Sequence, residues 1–216
     1  TNTGSSIFSM NGKYMKVAGN FTNFNGTVTY TGIGSSTVEF NGSINQNFTN
    51  TNGSILLNRV KMNKTSGKLY LTGANSTMNI DTLLTLTSGQ IVTRLIPSLE
   101  VNMKYFLPAS ITGHNVLSYI DGKLRRKISN GSFSSPVIPA SYDFPVGDSL
   151  FPGGYENANI TFTTATLVTD LLATFSPWPS GAPNPGPVAS ECIVATYSNR
   201  PIFDNGFWTF KRSTAI

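Results

Sequence analysis

The sequence predicts an all-β protein: an N-terminal β-solenoid, that is a parallel β-helix, followed by a β-sandwich. Three observations lead there. Between Val17 and Val101 the apolar runs are short, recur about every ten residues and alternate with Thr or Asn in the period of a half-buried strand. Nearly every run is closed by Asn-Gly, Ser-Gly or Thr-Gly, and Gly, Asn, Ser and Thr supply roughly two-fifths of the 216 residues. Charged residues make up only 12% of the chain. An antiparallel sandwich of hairpins fits the same spacing, but the low charge and brief runs favour stacked coils, which can use ladders of Asn and Thr.

Taken in order, the elements begin with a terminal strand at Ser5-Ser6-Ile7-Phe8-Ser9-Met10. Gly4, Gly12, Gly32 and Gly34 do not make a phosphate-binding loop, because no helix follows to present its amino end to an anion. Strands are expected at Thr27-Val28-Thr29-Tyr30, Val38-Glu39-Phe40, Ile55-Leu56-Leu57, Leu69-Tyr70-Leu71, Met78-Asn79-Ile80 and Leu84-Thr85-Leu86. Asn25-Gly26, Asn41-Gly42, Asn52-Gly53 and Ser66-Gly67 supply turns needing positive backbone angles. Gly113-His114-Asn115 reads as the turn between two halves, a solenoid stalk over 1–115 and a sandwich over 116–216.

In the second half the strands lengthen, as in Asn159-Ile160-Thr161-Phe162-Thr163 and Asp170-Leu171-Leu172-Ala173-Thr174-Phe175, and aromatic residues and prolines accumulate. Lys123-Leu124-Arg125-Arg126-Lys127 reads as an exposed edge strand kept unpaired by charge. The proline-rich stretch 176–187 cannot continue a sheet and is expected to be an extended loop. Phe207-Trp208-Thr209-Phe210 looks like a core strand close to the last residue, Ile216. A sandwich stopping there is short of strands, so the chain is expected to be a fragment or to accept a strand from a neighbour.

Charge and cysteine content exclude several function classes. The net charge of +5 arises from 10 acids against 15 bases, and no aromatic-interleaved basic stripe accompanies the 123–127 cluster, so nucleic acid is not an expected partner. The single cysteine, Cys192, permits no disulfide framework and is expected to be a buried thiol. No apolar stretch approaches the ~20 residues that span a bilayer, so no membrane insertion is expected. Nothing at Thr1 resembles a signal peptide, and the chain reads as a processed product.

Catalytic constellations are poor, and the expectation is a non-enzyme without cofactor. The first hundred residues hold three carboxylates, Glu39, Asp81 and Glu100, whereas polysaccharide-cleaving solenoids need clustered acids. Stacking across coils is the one way to unite Glu39 with Asp81. His114 is the sole histidine, which removes any histidine-pair metal site. Asp143 and Asp148 flank Phe144-Pro145-Val146-Gly147 and are the calcium candidates, with a solvated turn as the simpler reading. Among the aromatic residues, Trp178 in the proline-rich stretch is the candidate for stacking on a sugar, while Phe40 and Trp208 read as core.

Six segments, taken in order, carry a resemblance. Val17-Ala18-Gly19-Asn20-Phe21-Thr22 and Thr37-Val38-Glu39-Phe40-Asn41-Gly42-Ser43 precede Leu84-Thr85-Leu86-Thr87-Ser88-Gly89. Ser118-Tyr119-Ile120-Asp121-Gly122-Lys123-Leu124-Arg125-Arg126 and Phe144-Pro145-Val146-Gly147 follow, with Gly206-Phe207-Trp208 near the end. Together they resemble the repetitive β-helical regions of large secreted, adhesin-like surface proteins of Bacteroidota, cargo of the type IX secretion system. The carboxy-terminal sorting domain of such cargo has no counterpart here.

The resemblance implies an extracellular, cell-surface protein with a structural or adhesive role, contacting surface glycans or other surface and secretion proteins, and a possible homo-oligomer. It also implies a glycoprotein, with O-glycans at Thr82 in Asp81-Thr82-Leu83 and at Ser149 in Asp148-Ser149-Leu150. The alternative for each is an Asp-Ser/Thr turn with local hydrogen bonds. Asn-x-Ser/Thr sequons such as Asn20, Asn47 and Asn130 matter only in a eukaryotic source. Three other readings stay open: a filament subunit completed by strand exchange, a polysaccharide-active β-helix enzyme, and a viral tailspike.

Overall fold

A computed structural model of the chain describes residues 6–30, 34–129, 139–150, 154–163, 168–177 and 206–212, apart from the side chain of Phe207. Parallel ladders wind these residues into a β-solenoid of about six turns. The first coil is β1 (Ile7–Ser9), β2 (Tyr14–Val17) and β3 (Phe21–Asn23); the second is β4 (Thr27–Thr29), β5 (Thr37–Phe40) and β6 (Gln46–Asn50). The third and fourth are the long strands β7 (Ser54–Thr72) and β8 (Met78–Val92), each of which bends round all the faces. The fifth is β9 (Val101–Met103), a 3-10 turn at Pro108–Ser110, β10 (Ile111–Thr112) and β11 (Ile120–Asp121).

Register explains why such short strands hold. On one face Val38 pairs with Met15 and Val60, and Leu84 with Val60 and Ile111. On the next, Leu69 pairs with Gln46 and Ile91, and Ile120 with Ile91 and Val146. On the last, Val101 pairs with Met78 and Leu124. Side chains alternate in a strand, so these columns aim inward and stack into one apolar core whose members, such as Val38, Phe40, Leu69, Ile80 and Leu124, are inaccessible to solvent. Phe21 lies flat on Phe48 with centroids 5.3 Å apart, and Phe40 meets both rings edge-on.

Polar groups fix the corners. Asn23 Nδ2 donates to Asn50 Oδ1 (2.8 Å) on the next coil and to the Gly26 carbonyl (2.8 Å), while Asn50 Nδ2 donates to the carbonyls of Gly53 (2.7 Å) and Asn75 (3.0 Å). Lys64 is buried, and its ammonium donates to the carbonyls of Gly42 (3.0 Å) and Ile44 (2.9 Å) and to Gln46 Oε1, with burial pushing its pKa down. Gly67 (φ +71) turns a corner where a Cβ would lie 2.5 Å from the Ile44 carbonyl carbon. No side chain larger than hydrogen fits there.

The ladder does not stop at residue 115. β11 and β12 (Lys123–Lys127) pair in parallel with β8 and β9, and β13 (Ala140–Gly147) pairs in parallel with β11, so β12 and β13 belong to the sixth coil. The expected boundary at 115/116 thus falls inside the fifth coil. Antiparallel pairing begins only with the sixth coil: β14 (Tyr155–Phe162) with β13, β15 (Asp170–Pro177) with β12, and β16 (Gly206–Arg212) with β15. The sandwich expected over 116–216 is not confirmed; the described residues there form these two antiparallel pieces. Both are hydrogen-bonded extensions of solenoid faces, and their inner faces meet where Phe144 packs edge-on against Phe210, 5.4 Å away.

The 123–127 segment is a correction. It is not an edge strand, because β12 is hydrogen-bonded on both sides. Alternation turns Leu124 and Arg126 inward, both fully buried, and leaves Lys123, Arg125 and Lys127 partly exposed. Ser176 and Pro177, expected to open an extended loop, instead close β15 opposite Phe207 and Gly206; the rest of that stretch, 178–187, with Trp178, Cys192 and Asn130, lies outside the described residues.

Candidate functional site

Acidic side chains are the chemistry-bearing groups of this chain, and the fold assigns each described one a partner. Glu39 on β5 is buried; it accepts hydrogen bonds from Tyr14 Oη and from Asn63 Nδ2 (3.1 Å) and faces Lys61 Nζ at 3.6 Å. Burial opposes its ionisation, but Tyr14, Asn63 and Lys61 together outweigh that and hold its pKa below the usual carboxylate range. The same contact pushes the Tyr14 phenol up to about 12. Asp81 accepts from Tyr30 Oη. Coil stacking does not unite the two acids: Glu39 aligns with Lys61 and, one coil on, Thr85, whereas Asp81 precedes Leu83 at the other end of that segment.

On the next face Arg125 grips Glu100 with two bonds, Nε to Oε1 at 2.7 Å and Nη2 to Oε2 at 3.1 Å, and reaches Asp170 Oδ1 at 2.8 Å with Nη1. This bidentate geometry is the strong form of an Arg–carboxylate pair. It fastens the antiparallel β15 to the last coils.

Arg126 points the opposite way. Its Nη1 donates to the Asp143 carbonyl (2.6 Å), and its Nη2 to the carbonyls of Leu107 (3.3 Å) and Pro108 (2.8 Å) and to Ser110 Oγ (2.9 Å). The guanidinium carbon lies 5.2 Å from the Tyr142 ring centre and 5.8 Å from that of Phe144, within cation–π range. Burial without a contacting carboxylate pulls its pKa down to about 10. Sequence reasoning missed this pin, although the alternation that buries Leu124 carried the signal.

The calcium candidates separate. Asp143 lies 3.6 Å from His114 Nε2 and accepts from Asn157 (3.1 Å) and Asn159 (3.0 Å). His114, between β10 and β11 and not at a turn between two halves, also bonds Tyr155 Oη through Nδ1 at 2.8 Å. Asp148 pairs with Arg94 and accepts from the backbone amide of Leu150 at 2.9 Å. Different side chains hold the two aspartates, His114 the one and Arg94 the other, and among the described residues no group of three His, Cys, Asp or Glu side chains is placed to hold a metal ion.

The glycosylation candidates both have engaged hydroxyls. Thr82 Oγ1 donates to the Asn58 carbonyl at 2.8 Å. Ser149 Oγ sits among Asp121, Lys68 and Arg94. Asp121 is fully buried, 3.3 Å from Arg94, and burial raises its pKa against the pull of Ser149 and Arg94. Its Oδ1 has no partner among the described residues. The cluster ties the turn after β13 to β8, and nothing in the local sequence announces it, because Arg94 and Asp148 are 54 residues apart. Phe40 is core as expected; Trp208 is partly buried and stacks on Phe210.

No family model, curated protein or solved structure matches the chain. Among the described residues no helix is long and apolar enough to cross a membrane.

Proposed function

We propose that the chain is a non-catalytic structural or adhesive module of an extracellular bacterial surface protein, projecting from the cell and contacting glycans or neighbouring proteins. One observation carries this reading: its acids work as fasteners. Glu39, Asp81, Glu100, Asp143, Asp148 and Asp170 are all committed to hydrogen bonds or ion pairs that join one coil or strand to another. A general acid or base needs a carboxyl positioned on a substrate proton, and those partners take up that capacity. The resulting stack offers long strand faces as contact surface.

The test combines turnover with location. The purified chain, incubated with neutral and anionic polysaccharides, is expected to release no new reducing ends, and protease applied to intact source cells is expected to cleave the protein. Sugar release abolished by Glu39→Gln or Asp81→Asn would replace this reading with the polysaccharide-active one. Protection from external protease would remove the surface location.

A further inference from the structure

One side of the solenoid continues through β9, β12, β15 and β16 as a single sheet. Its inner side chains, Val101, Met103, Leu124, Leu171 and Ala173, are core. Its outer side is basic. Alternation turns Lys123, Arg125 and Lys127 outward between buried Leu124, Arg126 and Ile128. Arg125 aligns with Asn102 on one flank and Leu172 on the other, and Leu172 aligns with exposed Lys211. Lys104 is exposed too; it follows Met103 as Lys127 follows Arg126, and Met103 and Arg126 are register partners. The two lysines therefore come side by side on neighbouring strands, an arrangement that like charges oppose.

The acids of this side are spent elsewhere. Five cations, Lys104, Lys123, Arg125, Lys127 and Lys211, stand with two acids, Glu100 and Asp170, and Arg125 holds both. Lys123 donates to the Pro97 carbonyl, a neutral partner. Asp81, next after the Ile80 that aligns with Met103, gives its carboxylate to Tyr30. The ammonium groups of Lys104, Lys127 and Lys211 have no hydrogen-bond or ion-pair partner among the described residues. Asn102, Thr174 and Thr209 lie outward between these cations, partly exposed, and offer donors and acceptors for hydroxyl groups. Tyr105, 38% exposed, follows Lys104 at the rim.

We propose that the outer side of this sheet binds an anionic polysaccharide, whose carboxylates or sulfates pair with Lys104, Lys127 and Lys211 while its hydroxyls meet Asn102, Thr174 and Thr209. Charge complementarity selects the acidic class. Nucleic acid fits less well, because the residues aligned between the cations are Asn, Thr and Leu rather than rings that stack on successive bases. The proposal rests on the adhesive reading and adds to it the glycan class and the face.

Polygalacturonate, heparin and neutral dextran, each immobilised and titrated with the full chain, are the probes. Saturable binding to one or both polyanions is expected, with none to dextran, and the preference between them separates carboxylate from sulfate. Binding should weaken as salt rises from about 50 to about 300 mM. Lys104→Glu combined with Lys127→Glu should weaken it about tenfold or more, with the thermal melt confirming the fold. Lys13→Glu combined with Lys16→Glu, the same change of net charge on the first coil, should leave it within about twofold. A readout without variants is lysine acetylation mapped by mass: bound polyanion should slow labelling at Lys104, Lys127 and Lys211 but not at Lys13 and Lys16. No binding to either polyanion, equal losses in the two double variants, or unchanged labelling would overturn the proposal. So would duplex DNA or anionic vesicles bound through Lys104 and Lys127 more tightly than either polysaccharide. A chain that holds dextran or another surface protein while ignoring both polyanions loses this proposal and keeps the adhesive reading, whereas protection from external protease strikes the surface location itself.

Discussion

Replacing Arg126 by methionine tests whether a lone buried cation pins the end of the solenoid. Methionine keeps much of the aliphatic volume but removes every donor. The carbonyls of Leu107 and Pro108 belong to partly exposed residues and can turn to water, whereas Ser110 and Asp143 offer acceptors in buried or half-buried surroundings. Two stranded acceptors at about 1–3 kcal/mol each, with about 1 kcal/mol of cation–π attraction, give a gross loss of about 3–7 kcal/mol. Relief of the desolvated charge offsets part of it, for a net of roughly 3 kcal/mol. Urea unfolding followed by far-ultraviolet circular dichroism measures it, with an unchanged m value required for the comparison. Hydrogen exchange should show amides near 107–110 opening first. Arg126→Lys keeps the charge without the fork and should fall between. A loss below about 1 kcal/mol for Arg126→Met would refute the reasoning, since the acceptors would then have found other donors at no cost.

Other perturbations have equally definite outcomes. Gly67→Ala forces a Cβ to within 2.5 Å of backbone at φ +71, and the strain should cost about 1–3 kcal/mol in a thermal melt, while Gly19→Ala, with nothing within 4 Å of its Cβ, should cost under about 1 kcal/mol. Asn50→Ala removes two donated bonds and the acceptor used by Asn23; a loss of about 2–3 kcal/mol in urea is expected. Asp143 has its pKa held well below the ordinary value, by His114 above all and then by Asn159 and Asn157, against burial. Its contribution to stability is therefore complete above the unfolded value of about 4 and is lost as pH falls toward the depressed folded value. Urea midpoints measured at about pH 5 and about pH 3 should converge more in Asp143→Asn than in the native chain.

Much of the solenoid was legible because its signal is local. Val38-Glu39-Phe40 shows the two-residue period, and Asn52-Gly53 and Ser66-Gly67 mark corners, although of the four turns expected to need positive backbone angles only that at Gly67 has one, and Gly53 is required instead by the close approach of the Gly26 carbonyl. Stacking order was not legible. The long strands β7 and β8 each read as separate short runs, since bends at Asn58 or Ser66 look like strand ends in one dimension. Lys123–Lys127 was misread because a run of charge suggests solvent, and only the alternation with Leu124 reveals that one arginine faces in. The candidate sites fared according to range. His114 lies in the connection between β10 and β11, inside the fifth coil and not between two halves, and its pairing with Asp143 and that of Arg94 with Asp148 join distant segments and leave no trace in local pattern.

The hydrogen bonds between coils run along the axis of the stack, so tension applied between its two ends loads the rungs one at a time in peeling rather than all at once in shear. Mechanically the molecule is a sequential fuse. Each rung released frees a loop of the size that separates Thr49 from Thr72, 23 residues, or about 80 Å of extended chain. The unbroken β7 and β8 form the stiff middle, and the Arg125 and Arg126 clamps make the far end the last to open. Such a stack lengthens in steps under load while its far end stays folded.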